Sequence, residues 1–168
     1  MTAKPEQARD HMAAAHRTAV VLVIAFTLSI VVYTGVGILI LKTRGASSQA
    51  ELPYPFYAAA AALAIGSIVV RRAQLHGMRL EIVATTRGVD GLIKHLLNAT
   101  IIAAAIAEVI GVLALVVTFF GGTQSDVVRL GGVALVISLY NYPRRSAWQR
   151  AVDYFSATLP AAESKLGF

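Results

Sequence analysis

Four long apolar blocks alternate with short charged segments along this chain, and their lengths set the expected architecture. Residues 18–41 form an uncharged run of 24 residues, against the roughly 20 that a helix needs to cross a bilayer. Residues 54–70 form a second run of 17 residues. Pro53 and Pro55 suit the start of this helix, Tyr54, Phe56 and Tyr57 make an interfacial aromatic belt, and Arg71 with Arg72 ends it. A third block, 96–120, carries one charge at its centre, Glu108, and stops at Gly121-Gly122. The fourth, 127–142, is shorter, with Arg129 near one end and Pro143-Arg144-Arg145 beyond the other. The first block is longer than a signal-peptide core and follows an acid-containing head, so it reads as a retained helix.

The pattern predicts an all-α integral membrane protein with four transmembrane helices. Its expected segments are a cytoplasmic head (1–17), a four-helix membrane domain (18–142) with a cytoplasmic loop at 71–95, and a cytoplasmic tail (143–168). Within the tail, Trp148, Val152 and Phe155 recur at helical spacing over 146–155. This short C-terminal helix either lies at the membrane interface or caps the middle loop.

Composition agrees: 57% of residues are hydrophobic and 14% charged, too apolar a balance for a soluble core of this size. Twelve of the 15 Lys and Arg residues fall in the head, the middle loop and the tail. Only Lys42, Arg44 and Arg129 fall on the other side. Because Lys and Arg resist translocation, both termini are expected in the cytoplasm. The net charge of +6 therefore reads as topology and contact with anionic lipid rather than nucleic-acid binding, with Arg144, Arg145 and Trp148 at the membrane surface. The expected setting is a multi-pass protein of a bacterial-type inner or plasma membrane.

Small residues recur every fourth position in two blocks: Ala58, Ala62 and Gly66 in the second, and Ala99, Ala103, Ala107 and Gly111 in the third. Such stripes let helix backbones approach closely in lipid, and they predict a tight hairpin of these two helices. Glu108 interrupts the third block where an ionised carboxylate costs about 3 kcal/mol on insertion scales. A neutral acid is the expected form, hydrogen-bonded to Tyr33, Thr34, Ser67 or a carbonyl of a neighbouring helix. It is the candidate proton-binding residue, with a purely structural contact as the alternative.

Residues 100–120, TIIAAAIAEVIGVLALVVTFF, and the preceding YAAAAALAIGSIVV at 57–70 resemble the helix hairpin of the rotary ATPase proteolipid, the c subunit. That family carries an alanine- and glycine-rich run, an essential acid, and a closing apolar run, here matched by Glu108 and by Leu115-Val116-Val117. The resemblance implies a proton-carrying Glu108 within a ring, and it covers residues 57–120 only. The second block lacks the family's repeated Gly-x-Gly, and the fourth has no central acid.

Other chemistry finds little footing. His11, His16, His76 and His95 all lie outside the apolar blocks, so no bis-histidine haem site is expected and solvated surface histidines are. There is no cysteine, no phosphate-cradling glycine loop and no nucleophile with a base at motif spacing, so no metal, cofactor or enzyme activity is expected. Gly121-Gly122 reads as a turn and Gly131-Gly132 as a packing contact. The expectation is a small accessory or scaffold subunit whose partners are the bilayer and other membrane subunits or further copies of itself. The alternative is a proton-handling protein, ring-forming or a small transporter, that uses Glu108.

Overall fold

A computed structural model of the chain describes residues 5–44 and 54–165. Among the described residues all regular structure is helical: α1 (Pro5–Arg44), α2 (Tyr54–Gln74), α3 (Gly77–Val116), α4 (Gln124–Tyr140) and α5 (Arg145–Lys165). Helices α1, α2 and α3 are long and apolar enough to cross a membrane. Helix α4 has 17 residues and is therefore about 25 Å long, short of a hydrocarbon core of about 30 Å. Pro53, read as part of a helix start, and Lys4, counted in the head, lie outside the described residues.

The apolar blocks sit inside these helices, but the polar segments are more ordered than a head, loop and tail. Helices α1 and α3 each have 40 residues, about 60 Å at the helical rise and twice what a bilayer requires. The head is the first turns of α1, most of the expected 71–95 loop is the first half of α3, and the tail helix runs on to Lys165. At its other end α3 stops at Val116 rather than 120. A turn follows, in which Gly121 adopts φ 80° and Gly122 N–H donates to Val117 O at 2.9 Å, a glycine-dependent helix ending.

Two apolar cores follow from this arrangement. The first joins the polar-flanked ends of the long helices to α5 and contains Met12, Ala19, Leu80, Ala84, Leu92, Leu96, Trp148, Val152 and Phe155. The three tail residues predicted to share a helical face thus point into a cap built on α1 and α3. The second lies among the apolar runs and includes Ile30, Ala107, Ile110, Ala114, Val127, Leu130 and Ala134. Helix α3 breaks at Gly88, whose φ of 66° and ψ of −173° occupy a region open essentially to glycine alone. Leu80 and Ala84 before the break and Leu92 and Leu96 after it face the same core.

In the second core α3 is the central element, packed on α1, α2 and α4. An added Cβ at Gly111 of α3 would stand 2.8 Å from Ile30 Cγ1, and one at Gly131 of α4 would stand 2.3 Å from Thr34 Oγ1. These two glycines form a slot that receives the Ile30–Thr34 turn of α1, and close backbone approach is what drives helix association where lipid offers no hydrophobic gain. Thr27 and Ser138 add a hydroxyl pair at 2.7 Å between α1 and α4.

Candidate functional site

Glu108 sits in the membrane-length half of α3, half-buried, one residue before the lipid-accessible Val109. Tyr33 of α1 donates a hydroxyl hydrogen bond to Glu108 Oε1 at 3.4 Å, a long contact. The other two expected side-chain partners are engaged elsewhere. Thr34 donates to its own helix at Ile30 O, 2.8 Å, and Ser67 accepts from Asn141 Nδ2 at 2.9 Å. No cation pairs with Glu108 among the described residues.

The two small-residue stripes separate. Ala99, Ala103, Ala107 and Gly111 are all buried, and the last of them packs on α1. On α2, by contrast, Ala58 and Ala62 are exposed, and a Cβ added at Gly66 would meet nothing within 4 Å. The residues α2 buries are Ala60 and Ser67. Helices α2 and α3 do pack against each other, but not through facing stripes: α3 turns its stripe inward and α2 turns its own outward.

Polar clasps fix α2 and α4 at both ends. At one end Tyr57 donates to Asp126 Oδ1 at 2.6 Å. Asp126 Oδ2 also accepts from the Thr123 amide at 2.8 Å and the Thr123 hydroxyl at 2.7 Å. Thr123 and Asp126 form a reciprocal capping box that opens α4. Burial acts to raise the Asp126 carboxyl pKa, but the hydrogen bonds from Tyr57 and Thr123, with the nearby Arg129 charge, outweigh it and hold the group below its ordinary value. Asp126 precedes the apolar run that begins at Val127.

A folded-state pKa below the unfolded one means that Asp126 adds stability above the unfolded pKa of about 3.9 and loses it as pH falls through the folded value. Thermal melts of detergent-solubilised protein at falling pH should lose about 1–2 kcal/mol from this box below about pH 4. In Asp126→Asn that component of the pH dependence should vanish; an unchanged acid limb would dissociate the box from acid stability.

At the other end Arg71, in the last turn of α2, donates from Nη1 to Tyr140 O and, at 3.1 Å, to Asn141 Oδ1. Its guanidinium carbon lies 5.2 Å from the Tyr140 ring centroid, within cation–π range. Arg144 and Arg145, expected at the membrane surface, are exposed at the α4–α5 corner, whereas Trp148 is 5% exposed. Trp148 contacts His16 edge-on, with ring centroids 5.5 Å apart.

Two of the four histidines depart from the solvated role expected of them. His16, half-buried, lies 3.1 Å from Pro143 O through Nε2, and His95, also half-buried, lies 3.1 Å from Gln74 O through Nε2. Because a carbonyl only accepts, each Nε2 is the donor; His16 pins the α4–α5 corner to α1, and His95 pins the end of α2 to α3. His11 approaches Asp90 at 3.4 Å at an exposed position. Among the described residues no cluster of His, Cys, Asp and Glu has the makings of a metal site.

The sequence offered no direct signal for the Tyr57–Asp126 and Arg71–Asn141–Ser67 clasps, though each joins polar residues at the ends of apolar blocks. Taken together, the helices define an all-helical protein fitted to a membrane. No protein-family model, no characterised protein and no solved structure matches the chain.

Proposed function

We propose that the protein is an accessory or scaffold subunit of a membrane complex, crossing the bilayer four times with both termini in the cytoplasm. The observation that carries this reading is the outward face of α2. A helix that buries only Ala60 and Ser67 against its own chain leaves Ala58 and Ala62 exposed, as a close-approach surface for a transmembrane helix of another subunit. Four crossings are supported by the clasps. Helix α4 lies beside α2 from Tyr57–Asp126 at one end to Arg71–Asn141 at the other, so it extends over the same depth as a helix of spanning length. The head, the first half of α3 and the tail meet through Arg9–Asp153 at 3.3 Å and His11–Asp90, which supports assigning them to one side of the membrane along with the Lys and Arg bias.

The test is gentle extraction of tagged protein from its native membrane, followed by identification of what accompanies it. The wild type is expected to carry a defined set of different subunits. Ala58→Leu/Ala62→Leu should strip them away and leave a folded chain, since neither alanine is buried. A many-copy homo-oligomer instead would overturn the accessory reading and favour a ring.

A second reading rests on Glu108, half-buried and touched by one hydroxyl at 3.4 Å, which leaves the acid accessible for proton exchange. Glu108→Gln keeps a neutral hydrogen-bonding side chain and removes titration. If assembly survives this change while a proton-linked activity is lost, Glu108 is a carrier; if both survive, it is a structural contact.

A further inference from the structure

Where the end of α2 meets the α4–α5 corner, the helices leave a partly enclosed cavity of about 70 Å³ lined by Arg71, Thr100, Asn141, Arg144 and Trp148, among others. This is far below the roughly 300 Å³ at which drug-sized sites begin and suits one small polar group. We propose that this cavity is a phosphate-binding site, gripping the phosphate of an anionic lipid headgroup or of a soluble phosphate between Arg71 and Arg144. The proposal does not depend on the subunit reading above.

The charge balance carries the argument. Arg71 is half-buried and Arg144 stands near enough to oppose its charge; burial first, and Arg144 after it, lower the Arg71 pKa, while the Tyr140 side chain acts the other way. A guanidinium nevertheless stays protonated in proteins, so two like charges share the cavity. No carboxylate pairs with either arginine among the described residues. Such an arrangement is costly unless an anion occupies it. Of the five guanidinium N–H donors an arginine offers, Arg71 spends its Nη1 on Tyr140 and Asn141. The remaining donors, and the fork of Arg144, match the oxygens of a phosphate bidentately. The first turn of α5 adds Ala147 and Trp148 to the wall, which brings the positive end of that helix to the same place.

The cavity lies where apolar helix surface gives way to charge. Val69, Leu139 and Tyr142, each close in sequence to a clasp residue, are all exposed, an apolar surface along which acyl chains of a bound lipid would run.

Trp148 is the only tryptophan of the chain and lines the cavity, so its emission reports occupancy. Protein purified in neutral detergent would be titrated with short-chain phosphatidic acid, with phosphatidylcholine and with inorganic phosphate. A saturable change is expected with phosphatidic acid and not with phosphatidylcholine. Arg144→Gln should weaken it about tenfold, the value of one charged hydrogen bond, without unfolding, because this side chain is exposed and makes no ion pair among the described residues. Arg150→Gln, further along α5, should titrate as wild type. Saturation by inorganic phosphate in the same concentration range would assign a soluble anion, and saturation by lipid alone a headgroup. An absent response, an unaltered Arg144→Gln, or an equal loss in Arg150→Gln would overturn the site.

Discussion

Trp148→Ala is expected to melt the core that joins α5 to the ends of α1 and α3 while leaving the second core folded, at a cost of about 3–5 kcal/mol. Trp148 is 5% exposed and packs with Met12, Ala19, Leu80, Ala84, Leu92, Val152 and Phe155. Removing the indole opens a cavity between three helices whose polar cross-links do little to replace it: Arg9–Asp153 and His11–Asp90 are exposed pairs of small worth, and the half-buried His16–Pro143 contact ties down only the corner before α5. Hydrogen exchange in mild detergent separates this picture from that of a helix resting on the bilayer. In the cap, protection of α5, of the first turns of α1 and of the first half of α3 should fall together. An interfacial helix anchored by Trp148 would instead lose lipid partition alone, with α1 and α3 unaffected, and that result would sink the cap.

The contrast between cap and spans explains what was legible beforehand. Apolar runs of 24 or 25 residues announce themselves because a bilayer tolerates no other reading. The cap announces itself poorly. In α3 its inward residues Leu80, Ala84, Leu92 and Leu96 keep a four-residue step with Gly88 between them, but Arg79, Glu81, Arg87, Asp90 and Lys94 are interleaved with it, and that charge made the segment read as a loop. The head fails for another reason: Ala8 and Met12 are its buried hydrophobic residues among those described, and one of the two is an alanine scarcely more apolar than its neighbours.

Alanine also hid the facing of α2. Residues 58–62 are all alanine, so a small-residue stripe is present on every side and the spacing rule has nothing to select. Ser67 was the informative position, a hydroxyl whose burial is accounted for by Asn141, but its partner lies on another helix and outside any local pattern. Glu108 was legible as the one mid-block charge; which of its possible partners it meets depends on the rotation of α1, which brings Tyr33 to the acid and turns Thr34 toward Gly131.

That rotation is open to direct test. Gly131→Ala is expected to destabilise the helix bundle by about 1–3 kcal/mol, the usual cost of overpacking, because the new Cβ would fall 2.3 Å from Thr34 Oγ1 and 2.9 Å from Thr34 Cγ2. Thr34 cannot swing aside freely, since its hydroxyl is committed to Ile30 O at 2.8 Å. Thr34→Ala removes both offending atoms, so the double variant Thr34→Ala/Gly131→Ala should recover most of the loss in thermal unfolding followed by Trp148 emission. The same rescue should fail for Gly111→Ala, whose Cβ would meet the Ile30 backbone Cα at 3.3 Å as well as its side chain. Additive losses at Thr34 and Gly131 would show that the two do not touch, and α1 would then not lie in the slot between α3 and α4. Because α1 also carries Met12 and Ala19 into the cap, a shift of its axis at Gly131 should be felt by Trp148 of α5, which packs in the same core at that end of α1.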